Sequence, residues 1–201
     1  MPDLTGDAER SRADKIALRD RLLTSRRAMT STALASAAAA IQDQTLSLVR
    51  REQPATAAAY VPIGREPGGP DLVAALAAHV RVLLPVLLPD NDLDWAAYPG
   101  TTRPGRYGLV EPTGPRLGVS AVAQARIVFV PALAVDRRGM RMGRGGGSYD
   151  RALSRLPLVS GPLVVALLHD GELIDHVPAE PHDRPVHAAI TPGGGLTVFA
   201  N

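Results

Sequence analysis

ARIVFVPALAVDRRGMRMGRGGGSYDR, Ala125 to Arg151, is the stretch on which the fold turns. Its opening, Ala125 to Val135, is apolar almost throughout and rich in β-branched residues, as a central strand covered on both faces should be. A glycine-rich turn follows, and then a short helix whose apolar stripe is Tyr149, Ala152, Leu153 and Leu156 before Pro157 ends it. A strand that feeds a glycine turn and a helix is the repeating unit of an α/β sheet. Ligands of such sheets bind beyond the carboxyl ends of the strands, where this turn lies.

The turn itself suits an anion. Gly143, Gly145, Gly146 and Gly147 have no Cβ, so they accept positive φ and let backbone N–H groups converge. The helix starting near Ser148 adds free N–H groups and a positive dipole end, and Arg141 and Arg144 add charge. Three readings compete. A P-loop needs GxxxxGK followed by Ser or Thr, which is absent; a dinucleotide fingerprint of an oxidoreductase needs GxGxxG, which the run matches poorly; a plain glycine-rich surface loop is the third. Asp150 weighs on the choice. It is either an acid that suits the start of a helix or, beside a polyphosphate, a ligand for Mg²⁺, a hard ion that prefers carboxylate and phosphate oxygens.

Outward from the turn, strands alternate with helices. Glu9 to Met29 reads as a charged helix with Lys15, Arg19, Leu22 and Arg26 at helical spacing, and Ala33 to Arg51 as an alanine-rich helix with Leu34, Ala38, Ile41, Thr45 and Leu48 in one stripe. Ala55 to Val61 reads as a buried strand, PIGREPGGP as a loop, Asp71 to His79 as a helix, and Val80 to Leu88 as a strand that Pro85 demotes in part. Pro89 to Gly118 reads as a long loop in which Trp95 and Tyr98 pack or line an entrance. Leu163 to Leu168 and Ala188 to Thr191 are further strands, and Leu196 to Phe199 closes an edge. The expected fold is a single α/β domain over residues 1–201, a Rossmann-like three-layer sandwich with a mostly parallel central sheet and helices on both faces.

Composition narrows the classes of function. The 201 residues are 45% hydrophobic and only 3% aromatic, so Ala, Val and Leu fill a sizeable core. There is no cysteine, which excludes disulfides and thiolate metal sites and suits the cytoplasm. No signal peptide is read at the amino terminus, and the longest apolar run, Val82 to Leu88, is too short for a membrane span. The net charge is +2 and the arginines are scattered, without the dense basic run and interleaved aromatics of nucleic-acid binders. The expectation is a soluble monomer acting on small molecules, with neither nucleic acid nor membrane as partner. Of the 22 basic residues Lys15 is the only lysine. It is either a phosphate ligand or one more charge on a solvated helix face. His79, His169, His176, His182 and His187 show no metal-ligand spacing, and most of them read as surface or capping residues.

The segment VPALAVDRRGMRMGRGGGSYDRAL, Val130 to Leu153, resembles the signature of the 5-formyltetrahydrofolate cyclo-ligases, also called methenyltetrahydrofolate synthetases. The likeness extends to the Lys-x-x-x-Arg pair Lys15 and Arg19, to YVPIGREPGG with Val61 and Glu66, to LVEP at Leu109 to Pro112, and to VPAEPHD at Val177 to Asp183, all in the family's order. It implies ATP- and Mg²⁺-dependent closure of 5-formyltetrahydrofolate to 5,10-methenyltetrahydrofolate, with ADP and phosphate released. It implies that Lys15, Arg19 and the turn Arg141, Met142, Gly143, Arg144, Gly145, Gly146, Gly147, Ser148 and Tyr149 hold ATP. Val61, Glu66 and the segment Arg144 to Ser148 would meet the folate, Asp150 and Asp183 would ligate Mg²⁺, and Lys15, Arg144 and Tyr149 would act at the reacting centre. Three positions depart from the family pattern. Ser148 stands where Tyr or Phe is usual, His187 where an acid is frequent, and Gly146 where some relatives have lysine. The departures at Ser148 and His187 also admit a folate- or nucleotide-binding regulator of the same fold without turnover.

Overall fold

The computed structural model describes residues 4–157, 160–180 and 183–200, with side chains described from residue 13. Two helices, α1 (Leu4–Ala28) and α2 (Ser31–Glu52), precede β1 (Thr56–Ala58), α3 (Leu72–Ala77), β2 (Arg81–Leu87) and β3 (Leu93–Ala97). A hairpin of β4 (Thr102–Pro104) and β5 (Val110–Pro112) follows, then β6 (Ile127–Pro131), β7 (Ala134–Asp136), β8 (Arg141–Met142) and α4 (Ser148–Ser154). The chain closes with β9 (Leu163–Leu167), β10 (Leu173–Ile174), β11 (Ala188–Thr191) and β12 (Gly195–Val198). The Thr30 side chain accepts a hydrogen bond from Ala33 N at 3.1 Å, which starts α2 at Ser31, two residues ahead of the alanine run that marks it in the sequence.

The main sheet has the order β12-β11-β9-β6-β1-β2-β3. Its five inner strands are parallel and both edge strands antiparallel. Period-two alternation divides the core. Val128 and Val130 of β6, Val164 and Ala166 of β9 and Leu83 of β2 face one side, where they meet Leu153 and Leu156 at α4 and Val122 of the 3₁₀ segment Val119–Gln124. Ile127, Phe129, Val165, Leu167, Val82 and Leu84 face the other, against Ile41 and Leu48 of α2 and Leu72 and Leu76 of α3. Both faces are therefore covered, and the expected three layers are present.

Three elements differ from the sequence reading. The run Ala125 to Val135 is two strands rather than one. Pro131 is the last residue of β6 to pair, opposite Leu167, and β7 belongs to a second small sheet of order β10-β7-β8. Both strands are buried on each side, so the apolar run continues across the break. Pro85 does not shorten β2. Hydrogen bonds from Tyr98 N to Val82 O and from Leu88 N to Asp92 O set a register in which Pro85, opposite Trp95, falls at a non-hydrogen-bonded position. On its other side the ladder to β1 closes with the bond from Ala59 N to Leu83 O at 2.9 Å, so Pro85 lies just past the last paired residue of that strand. Finally, β3, β4 and β5 lie within the expected loop. Asp92 and Asp94 disguise β3, because both carboxylates are buried, and Asp94 accepts from Trp95 N at 2.7 Å and Gly118 N at 2.8 Å. Trp95 is 1% exposed and belongs to the core, not to an entrance.

The small sheet seats α1. Leu22 packs with Leu133, Ala134, Met142 and Val177, and the buried Arg26 clamps Glu172 with two hydrogen bonds of 2.6 and 2.8 Å and donates to Ala132 O at 2.6 Å. A buried guanidinium is tolerable only when its charge and donors are met, and this bidentate pair meets them. The amino-terminal helix is thereby fixed at the carboxyl end of β6.

Candidate active site

The parallel strands β1, β2 and β6 lead to a single cavity of about 650 Å³. Tyr60 and Val61 leave β1 into it; Pro85 and Leu87 of β2 line it; Pro131 to Leu133 carry the chain from β6 past it into β7. The β7–β8 hairpin returns the chain so that the glycine turn forms a wall, α1 adds Lys15, Ile16 and Arg19, and the carboxyl-terminal segment adds Glu180 and Asp183. All fifteen candidate residues line this cavity: Lys15, Arg19, Val61, Glu66, the ten from Arg141 to Asp150, and Asp183.

The turn needs its glycines for two reasons. Gly145 and Gly147 have φ of 100° and 68°, in the left-handed region, and a Cβ on Gly143 would come within 2.9 Å of the Arg141 guanidinium. Arg19 lies across this bare backbone and donates from Nε to Gly143 O at 3.2 Å. Gly147 brings no capping side chain to α4.

Three cation–carboxylate pairs organise the walls. Lys15 Nζ is 2.8 Å from Asp183 Oδ2 and 3.7 Å from Glu180, with only 14% of its side chain exposed, so it is not a solvated surface charge. Arg141 donates to Asp150 Oδ1 at 2.8 Å, and Arg144 Nε lies 3.3 Å from Glu66 Oε1. Asp150 also accepts from Arg184 N at 3.3 Å, which brings it beside Asp183 although 33 positions separate them in the chain. Glu66 accepts from Ile63 N at 3.0 Å; burial raises its pKa, against the pull of that N–H and of Arg144. Tyr149 is sandwiched between the two cores, with Arg141 5.9 Å from its ring centroid. Its buried hydroxyl has no hydrogen-bond partner among the described residues, and burial together with Glu66 pushes its pKa up, so it stays a phenol and a donor.

The cavity also holds residues to which sequence reasoning gave no role, although four of them lie within the motifs it quoted. Tyr60, Ile63, Tyr107, Glu111 and Glu180 line it. Glu111 is buried at 7% exposure and accepts from Leu87 N at 3.3 Å; its signal was the LVEP element that contains it. Tyr107, at the hairpin tip, is exposed with φ of 55°. Two histidines depart from a plain surface position, one of them buried and the other half-buried. His169 is buried, and His187 accepts at Nδ1 from Val164 N at 3.0 Å, away from the cavity, with a pKa lowered by burial. His182 lies outside the described residues.

Among the described residues no three His, Asp or Glu side chains converge as a metal site, and no helix is long and apolar enough to cross a membrane. The paired carboxylates Asp150 and Asp183 are hard oxygen donors on neighbouring segments, a set that suits Mg²⁺ when phosphate oxygens complete the shell.

The sequence model of the 5-formyltetrahydrofolate cyclo-ligase family matches residues 11–192. The chain is 42% identical over 151 residues to the 5-formyltetrahydrofolate cyclo-ligase of Mycolicibacterium smegmatis, covering 72% of this chain and 77% of that one. It is 33% identical over 119 residues to the enzyme of the same name from Escherichia coli K12, covering 57% and 65%. In structure it is similar to the 5,10-methenyltetrahydrofolate synthetase of Aquifex aeolicus, solved by NMR, with a TM-score of 0.78 at 23% identity over 93% of each chain. The synthetase of Mycoplasma pneumoniae gives a TM-score of 0.69 at 19% identity, over 88% of this chain and 97% of that one.

Proposed function

The chain belongs to the 5-formyltetrahydrofolate cyclo-ligase family, and on that premise we propose that it is a ligase that closes 5-formyltetrahydrofolate to 5,10-methenyltetrahydrofolate at the expense of ATP. The observation that carries the reading is the meeting of segments around residues 15, 66, 141–150 and 183 in one cavity of about 650 Å³. The volume lies in the ordinary range of ligand-binding pockets.

A formamide carbon is a weak electrophile and its oxygen a poor leaving group. Attack of the formyl oxygen on the γ-phosphorus displaces ADP and makes that oxygen part of a phosphate ester. The neighbouring folate amine then adds to the carbon and gives up its proton, and expulsion of phosphate, which carries off the former formyl oxygen, leaves the methenyl bridge. No side-chain nucleophile is required; the protein positions the reactants and offsets charge. Lys15, Arg19 and Arg144, with the turn's N–H groups, would hold the phosphates. Glu66 would accept hydrogen bonds from the pterin ring nitrogens, next to Val61. The Tyr149 hydroxyl, buried without a partner among the described residues, would donate to an oxygen of the bound substrates.

Asp150 and Asp183 would hold Mg²⁺, whose charge helps neutralise the phosphates when it is bound. In the structure each carboxylate is engaged by a cation of the same wall, Asp150 by Arg141 and Asp183 by Lys15. Phosphate oxygens would draw off those cations and release the carboxylates, so charge stays balanced before and after binding. The protein is proposed to work as a cytoplasmic monomer on these small molecules.

The test follows the absorbance of the methenyl product with purified protein, 5-formyltetrahydrofolate, ATP and Mg²⁺. ATP-dependent product is expected, and Asp150→Ala is expected to abolish it. No signal with the intact chain would instead favour a binding regulator, and unaltered turnover in Asp150→Ala would refute the metal role.

A further inference from the structure

The loop between β1 and α3 carries Glu66, and three of its backbone carbonyls are claimed by side chains, two from distant parts of the chain and one, Tyr60, from the start of the loop itself. His169, just after β9, approaches Arg65 O with Nε2 at 3.0 Å. Tyr60 donates to Pro67 O at 3.0 Å, and Gln42 of α2 donates through Nε2 to Gly68 O at 2.9 Å. A carbonyl can only accept, so the His169 proton sits on Nε2; its Nδ1 is buried without a partner among the described residues.

The surroundings hold the anchors in turn. His169 is 4% exposed, and its own N–H donates at 2.7 Å to Glu172, the carboxylate clamped by Arg26. The Arg65 guanidinium caps the end of α1 through Arg26 O, at 3.3 Å, and Met29 O. A Cβ on Gly69 would lie 2.7 Å from Ala38 Cβ, so the loop sits hard against α2. Arg65, beside Glu66, is therefore fixed at both its carbonyl and its side chain. Neither His169 nor Gln42 lines the cavity. A tight network spent on a loop next to a site is the arrangement that pre-sets a ligand-binding group.

We propose that His169 and Gln42 are positioning residues that fix the 62–70 backbone, so that the Glu66 carboxylate meets the folate ring in one orientation. The proposal rests on the folate role assigned to Glu66 above. His169→Phe keeps a ring and removes the donor, while His169→Gln returns an amide N–H near the ε position. In the full-length chain, His169→Phe is expected to speed amide hydrogen exchange in the 62–70 segment but not in β6 or β9. It is also expected to raise the folate KM roughly tenfold or more, with the ATP KM unchanged and both effects reversed in His169→Gln. Gln42→Met is expected to act in the same direction. Adding His169→Phe to Glu66→Gln should raise the folate KM little further, because both act through one group.

Exchange that rises across the whole sheet in both His169 variants, or only in the loop without a change in folate KM, would overturn the positioning role. Glu66→Gln separates the two claims. A folate KM unmoved by Glu66→Gln overturns the role of Glu66 and this proposal with it. A KM raised by Glu66→Gln but unmoved by His169→Phe overturns the proposal alone.

Discussion

Lys15→Met is expected to lower kcat about 10²–10³-fold, the usual loss when one pre-placed donor to a developing charge is removed. The amine sits 2.8 Å from Asp183 on the wall that faces the turn, and α1 is held there by the buried Arg26–Glu172 clamp eleven residues further on. Methionine keeps the stem and its packing and removes only the charge, so the fold should persist. Because Lys15 is the chain's one lysine, an amine-acylating reagent reports on a single side chain, and ATP is expected to slow its modification. Undiminished turnover in the variant, or labelling indifferent to ATP, would take Lys15 out of the phosphate site.

The second large effect is expected at Glu66. Hydrogen bonds to a charged group contribute about 1.5–3 kcal/mol each, so Glu66→Gln should raise the folate KM by roughly ten- to a hundredfold and leave the ATP KM alone. Stability should move the other way. Burial raises the carboxyl's pKa above the ordinary glutamate value, so the folded chain holds that proton more tightly than the unfolded one. The stability gained from it is present below the ordinary pKa and is lost as pH rises through the raised one. At neutral pH the ionised carboxylate weighs against the fold, and its neutral isostere should hold or raise Tm. A weakened folate affinity together with a lowered Tm would mark Glu66 as a structural residue instead.

Much of this was legible in residue order. The glycine turn, the Lys15–Arg19 spacing and Glu66 within a breaker-rich loop are local patterns, and the cavity gathers all of them. The alternating layers followed from strands that are apolar on both faces. What stayed hidden depends on partners far away in the chain. Arg26 and Glu172 are 146 positions apart, and neither carries a local mark of burial. The break between β6 and β7 escaped because both strands are buried, so hydropathy runs through it without a dip. β3 escaped because Asp94 is satisfied by backbone N–H groups rather than by water. His169 looked like a surface histidine because its role is set by the carbonyl of Arg65, on another loop.

Pro85 and Trp95 face each other across β2 and β3, and Pro85, Leu87 and Leu93 around them line the cavity. Trp95 is also the chain's single tryptophan. The molecule thus carries one indole fluorophore, sealed in hydrocarbon one strand away from the ligand space. Its emission belongs at short wavelength and out of reach of aqueous quenchers, and it moves to the red when the sheet opens. Folding can be followed optically through this one ring without a label, on the same sample in which product absorbance reports turnover.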